Sequence, residues 1–132
     1  MDFSPLYKQK LVTAEKAAEV IKSGDWVDYG WCVNTPVAID KALAKRMPGL
    51  EDVKLRGGLL IREPEIFKID NPARHFSWNS WHMLGIERKA IDAGFSFYSP
   101  LRYSELPRWY RENVKKTDVV IFQAAPMDEN GF

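Results

Sequence analysis

The run DWVDYGWCVNTPVAIDKAL, residues 25–43, carries in succession a strand, a short loop and the start of a helix. Trp26, Val27 and Tyr29 are strong strand formers, and Gly30 lets the backbone leave the strand in a conformation that a Cβ opposes. Thr35 is placed to cap a helix that begins at Pro36, where the missing N–H costs nothing. Free N–H groups and the positive end of the dipole make such a helix start a position for an anion. A plain, well-capped βα unit is the other use of the same pattern.

The alternation continues on both sides of this run. Residues 1–12 read as an N-terminal arm with Leu6, Leu11 and Val12 available for packing. Thr13 is an N-cap for a helix whose Ala14, Ala17, Ala18 and Ile21 share one face, and Ser23-Gly24 ends it. In the helix from Pro36, Ile39, Ala42, Leu43 and Met47 form the buried stripe, Lys41, Lys45 and Arg46 stay in water, and Pro48-Gly49 ends it. Val53 to Gly57 alternates as a half-buried strand and leads into Gly57-Gly58. That pair admits a second backbone or a ligand, or makes a simple turn. Pro64 to Ile69 is a short helical piece broken by Asn71-Pro72, and Arg74 to Trp78 is a third strand. A helix carrying Met83, Ile86 and Ala90 runs to Gly94. Phe95 to Tyr98 is a fourth strand, and Ser104 is placed to cap a helix with Leu106, Trp109, Tyr110 and Val114 as its stripe. Val119 to Ala125 is a continuous apolar run, the pattern of a central parallel strand buried on both faces. The order βαβαβαβαβ specifies an α/β protein with a mostly parallel sheet flanked by helices.

Composition narrows the function classes. The chain has 132 residues, enough for one domain or part of one. A net charge of +1 gives no electrostatic ground for nucleic acid or an anionic membrane. The single cysteine, Cys32, excludes an internal disulfide and suits a reducing compartment. No apolar run reaches the roughly 18 residues of a membrane span, and the N-terminus lacks the basic and apolar regions of a signal peptide. A cytoplasmic protein is the expectation. Near the end, Asn130-Gly131 is a strong hairpin signal with one residue after it, so a fragment of a longer polypeptide is expected.

Ligands of open α/β sheets sit beyond the carboxyl ends of the strands. Four pieces of the chain fall there: Gly30 to Asn34, Gly57-Gly58, Asn79 to His82, and Gln123 to Pro126. Gln123, a neutral polar group ending an apolar strand, is either hydrogen-bonded inside or turned to a ligand. Ser80 and His82 face one side only in extended backbone and lack an orienting carboxylate, which favours a capping Ser and a packing His over a nucleophile and its base. Two histidines, His75 and His82, with one cysteine make a poor metal set. No G-x-G-x-x-G or phosphate loop supports a nucleotide cofactor. Arg102, Arg108, Arg111, Lys115 and Lys116 interleave with Tyr103, Trp109 and Tyr110 as on a solvated amphipathic helix. No acidic residue stands out as a base.

The motifs TAEKA and IKSGDWVDYG resemble the opening of the acetyl-CoA hydrolase/transferase family. WNSWH, GIERK, PLRYSELP and QAAPMD resemble its butyryl-CoA:acetate and 4-hydroxybutyrate CoA-transferase branch, in the right order over almost the whole chain. The resemblance implies a class I CoA-transferase of two similar α/β domains with the site between them. In that family a glutamate attacks the acyl-CoA thioester to give an acyl–glutamyl anhydride. The CoA thiolate turns this into a glutamyl–CoA thioester, and an incoming carboxylate takes the CoA in a ping-pong cycle. Nothing in residues 1–132 matches the glutamate or the Gly-rich oxyanion loop. The expectation is therefore the N-terminal part of a CoA-transferase domain, inactive alone, whose catalytic residue lies in a missing C-terminal part. Coenzyme A esters are the implied substrates, with no permanently bound cofactor. Short-chain carboxylates and the rest of the same polypeptide are the implied partners, in a homo-oligomer. The implied substrate wall is Gly30, Trp31, Asn34, Gly57, Gly58, Asn79, Ser80, His82 and Gln123, with Asn79 or Ser80 donating to a carboxylate and Trp31 shaping the acyl pocket. An acyl-CoA hydrolase of the same family and a non-catalytic ligand-binding domain are the alternatives.

Overall fold

The computed structural model describes residues 3–112 and 117–128. The strands are β1 (Trp26–Tyr29), β2 (Val53–Gly57), β3 (Phe76–Ser80), β4 (Ser96–Tyr98) and β5 (Val119–Ile121). They form one sheet in the order β4-β3-β2-β1-β5, and every pairing is parallel. The helices are α1 (Ser4–Lys10), α2 (Ala14–Ala18), α3 (Val37–Arg46), α4 (Pro72–His75), α5 (Gly85–Asp92) and α6 (Leu106–Arg111). Strand order advances one way from β1 to β4, then returns to the other side of β1 with β5. The sheet thus has its topological switch between β1 and β5.

Strand register sorts the side chains into two faces. Val119, Val27, Leu55 and Trp78 stand in one row across the sheet. With Ile21, Tyr29, Leu43, Met47, Leu60, Ile66 and Phe76 they make the apolar core. Phe67 closes that core edge-on, its ring centroid 5.0 Å from those of both Trp78 and Phe95. Val120, Asp28, Arg56, Asn79 and Phe97 stand in the opposite row. Its centre is polar yet buried, because Trp81 and the α6 residues Trp109 and Tyr110 gather over it.

Several expectations are corrected here. The N-terminal arm contains the helix α1, with Pro5 in its first turn. Thr13 caps α2 as expected, accepting from the Lys16 N–H at 3.2 Å. Regular helix nonetheless ends at Ala18, and Gly24 at φ +85° turns the chain into β1. Arg46 does not stay in water: its guanidinium donates to the Ala18 and Ile21 carbonyls, satisfying the end of α2. Thr35 does not cap α3. Pro36 holds that position, and the Thr35 hydroxyl donates backwards to the Cys32 carbonyl at 2.8 Å. β3 begins at Phe76 because Pro72–His75 forms a helical turn. Ser104 lies in a 3₁₀ turn and makes no cap for α6, and Val114 falls outside the described residues.

The largest correction concerns β5. It is a three-residue edge strand with Val120 62% exposed, not a central strand buried on both faces. Its described ladder partner is β1, and after Ile121 the backbone leaves the ladder: the Gln123 N–H turns to the Asn34 carbonyl at 2.8 Å. β2 departs from the expected pattern in the opposite sense, since Arg56 is 1% exposed.

Candidate functional site at the topological switch

The loop after β1 is folded tightly against the end of β5. The Gly30 N–H donates to the Ile121 carbonyl at 2.8 Å, and the Gln123 N–H to Asn34, so two backbone bonds clamp the switch point. Between them Cys32–Asn34 forms a 3₁₀ turn entered with Cys32 at φ +50°. Glycine at position 30 follows from a close approach: a Cβ there would fall on the Asn34 carbonyl and lie 3.0 Å from the Phe122 Cβ.

Next to this clamp a cleft of about 390 Å³ opens at the carboxyl ends of β1, β2 and β5. Val33, Val37 and Ile61 supply apolar lining, Cys32 and Thr35 small polar groups, and Arg62 and Gln123 the long polar side chains. A second cavity of about 140 Å³ shares Thr35, Val37 and Arg62 and adds Asp40, Lys41 and Glu63 to Glu65. The Asp40 carboxylate is buried there, accepting from the Glu65 N–H at 2.7 Å and the Tyr29 hydroxyl at 3.3 Å. Burial raises the Asp40 carboxyl above its ordinary range, against the lowering effect of the N–H and hydroxyl bonds. Burial first and the Asp40 charge second hold the Tyr29 phenol well above its own.

The loop leaving β2 is fixed from beneath by a carboxylate. Glu87 is fully buried and accepts from the Leu60 N–H at 2.7 Å and the Leu84 N–H at 2.9 Å. It ties the segment that carries Ile61 and Arg62 to the start of α5. The room left by Gly57 and Gly58 is filled by protein. A Cβ on Gly57 would lie 2.7 Å from the Trp78 ring, and one on Gly58 3.0 Å from the His82 carbonyl.

Besides Gly57 and Gly58, the expected wall residues fall into three groups. Gly30, Asn34 and Gln123 meet at the β1–β5 clamp. Trp31 and His82 lie side by side, with ring centroids 5.9 Å apart. Asn79 and Ser80 point inward: Asn79 Nδ2 donates to Ser99 Oγ at 2.8 Å, and Ser80 Oγ donates to the His82 carbonyl at 3.0 Å. The His82 Nδ1 lies 2.7 Å from the Trp81 carbonyl, so Ser80 and His82 do not form a nucleophile–base pair. Gln123 has its backbone bonded and its side chain exposed on the cleft.

Sequence reading passed over Arg62, Ile61, Val37, Asp40 and Glu87. For Arg62 the signal was available as a cation four residues beyond Gly58, just past a strand end. For Asp40 and Glu87, acids on the inward face of a helical repeat were the signal.

On the opposite face of the sheet Arg56 is enclosed. Its Nε donates to Asp28 Oδ1 at 2.6 Å and an Nη to Thr117 Oγ1 at 2.8 Å, while Thr117 donates to Asp28 Oδ2 at 2.9 Å. The guanidinium carbon sits 4.5 Å from the Trp109 ring centroid and 4.9 Å from that of Trp26. Burial pushes the Tyr110 hydroxyl up to about 12, with the Asp28 charge adding to the rise and Arg56 opposing it.

Comparison with known proteins places this architecture. The model of the acetyl-CoA hydrolase/transferase N-terminal domain matches residues 1–132. The chain is 60% identical over 132 residues to the butyryl-CoA:acetate CoA-transferase of Anaerostipes caccae, covering 100% of this chain and 30% of that protein. It is 43% identical over 126 residues to a probable butyrate:acetyl-CoA coenzyme A-transferase of Syntrophomonas wolfei, covering 96% of this chain and 28% of that one. The crystal structure of RipA from Yersinia pestis superposes with a TM-score of 0.84 at 25% identity, over 99% of this chain and 32% of its own. The chain thus spans less than a third of the length of these relatives.

Proposed function

The chain belongs to the acetyl-CoA hydrolase/transferase family, and from that premise we propose that it is the N-terminal part of a CoA-transferase. The enzyme moves CoA between a short-chain acyl-CoA, butyryl or 4-hydroxybutyryl, and a carboxylate such as acetate. The observation that carries this reading is the 60% identity, end to end, with a butyryl-CoA:acetate CoA-transferase.

In the proposed cycle a glutamate in the remainder of the polypeptide attacks the thioester carbonyl and releases CoA thiolate. The thiolate attacks the resulting anhydride to give glutamyl–CoA and the free acid. The second acid's carboxylate oxygen attacks glutamyl–CoA, and the thiolate then attacks the new anhydride on its acyl side, which regenerates the glutamate. Residues 1–132 contribute a wall of the site. Trp31, packed on His82, shapes the acyl side, and Gln123 presents its amide at the switch-point cleft. Asn79 and Ser80 act as positioning residues through Ser99 and the His82 carbonyl. Gly30, Asn34, Gly57 and Gly58 hold the loops close enough for this wall to form. Among the described residues no helix is long and apolar enough to cross a membrane; a cytoplasmic setting and a homo-oligomer of complete chains belong to the same proposal.

The test is the complete polypeptide incubated with butyryl-CoA, with and without acetate. Acetyl-CoA and butyrate formed in equal amounts, only when acetate is present, is the expected result. Butyrate and free CoA thiol released without acetate would make it the hydrolase of the same family, whose description covers both reactions. No turnover in either case, with acyl-CoA still bound, would leave a ligand-binding domain.

A further inference from the structure

Arg62 is the charged residue lining the 390 Å³ cleft, and it also borders the smaller cavity beside it. Of the neighbouring cations, Lys68 is engaged, its Nζ 2.9 Å from Glu65 Oε1, while Lys41 lines the smaller cavity. Arg62, like Lys41, has no ion-pair partner among the described residues. Its backbone is nonetheless held in place. Leu60, two residues earlier, is anchored on buried Glu87, and Leu59 donates its N–H to the His82 carbonyl at 3.0 Å. The result is an unpaired guanidinium on an anchored segment, facing a small cleft whose apolar wall is Val33, Val37 and Ile61, with Cys32, Thr35 and Gln123 completing the lining. A guanidinium presents paired donors that match a carboxylate bidentately, and an adjoining apolar wall suits a short alkyl chain. The cleft is at the small end of the range for ligand sites, which suits a short acid better than a nucleotide.

We propose that Arg62 binds the carboxylate of the free acid substrate at the switch-point cleft, with the acid's alkyl chain against Val33, Val37 and Ile61. Arg62 is then a specificity-determining residue for the acid and not for the CoA ester. This inference rests on the transferase reading above.

The experiment uses the complete enzyme as wild type, Arg62→Lys and Arg62→Met, with acetate and butyryl-CoA varied in turn. The expected result is a KM for acetate raised about tenfold in Arg62→Met, the worth of one charge-assisted contact, and less in Arg62→Lys. The KM for butyryl-CoA should stay within about twofold of wild type, since that substrate carries no free carboxylate. An unchanged acetate KM overturns the proposal. So does a raised KM for butyryl-CoA that disappears when a butyryl-pantetheine thioester replaces it, because Arg62 would then hold a CoA phosphate. A second readout separates this proposal from the transferase reading. Cys32 lines the same cleft, and its alkylation by iodoacetamide, followed by peptide mapping, should be slowed by butyrate in wild type but not in Arg62→Met. If wild type transfers no CoA yet shows that protection, the transferase reading fails and the acid site stands. If wild type transfers CoA and Cys32 is not protected, the acid site fails alone.

Discussion

Arg56 Nε donates to Asp28 Oδ1 at 2.6 Å from the directly opposed position on the neighbouring strand, and both side chains are buried. A charge pair at the middle of a parallel sheet is held there because the remaining Asp28 oxygen accepts from Thr117 and the aromatic rings of Trp26 and Trp109 cover the cation. Removing one partner strands the other. Arg56→Ala or Asp28→Ala should each cost about 3–5 kcal/mol. A double variant, Arg56→Met with Asp28→Leu, should recover much of that loss. Urea denaturation of the four proteins checks it, and additive losses would contradict the coupling.

Glu87 predicts a local effect. Glu87→Ala leaves the Leu60 and Leu84 N–H groups without their acceptor, at a cost of about 1–3 kcal/mol for each orphaned donor. Amide exchange at Leu60 should accelerate well beyond any change at Leu55 in the middle of β2. Equal acceleration at both positions would mean that Glu87 supports global stability alone.

Gly30→Ala tests the clamp. The added Cβ meets the Asn34 carbonyl and the Phe122 Cβ, so overpacking should cost about 1–3 kcal/mol. Amide exchange at Gln123, whose N–H donates to Asn34, should rise with it. Unaltered protection at Gln123 would show that the loop yields elsewhere.

Asp40 predicts a pH dependence of definite sign. Its folded-state pKa is raised by burial above the ordinary 3.8, so the folded state holds the proton more tightly than the unfolded one. The stabilisation from protonated Asp40 is complete below 3.8 and is lost as pH rises through the folded value. Thermal melts of wild type and Asp40→Asn across this range should show wild type relatively most stable at the acid end, with its advantage shrinking upward. A pH-independent difference would remove Asp40 from this role.

Periodicity alone made the sheet legible. Val27, Leu55 and Trp78 lie where alternating apolar residues put them, and the βα order dictates parallel pairing. Arg56 was illegible because its burial depends on α6 and Thr117, more than fifty residues away, and a Lys-Leu-Arg alternation is indistinguishable from a strand with one wet face. β5 misled for the complementary reason. An apolar run declares that something will cover it, not which side of the sheet it joins, and Val120 and Phe122 remain 62% exposed here. The strand-end rule pointed to the carboxyl ends of the strands, where the structure has a cleft. It could not tell Ser80, turned inward to the His82 carbonyl, from Arg62, turned to the cleft.

The switch between β1 and β5 also sets a timetable. β1 to β4 pair in the order in which a ribosome delivers them, each strand finding the one before it. β5 must travel back over all three intervening strands to reach β1, and the Gly30–Ile121 and Asn34–Gln123 bonds close loops of about ninety residues. Contacts of such long range form late. The nascent chain therefore holds four of the five described strands before β5 arrives, and the switch-point cleft gains its Gln123 wall as the final event of assembling this segment. Any substitution that delays β5 should lower the yield of correctly folded chain before it lowers the stability of the molecules that succeed.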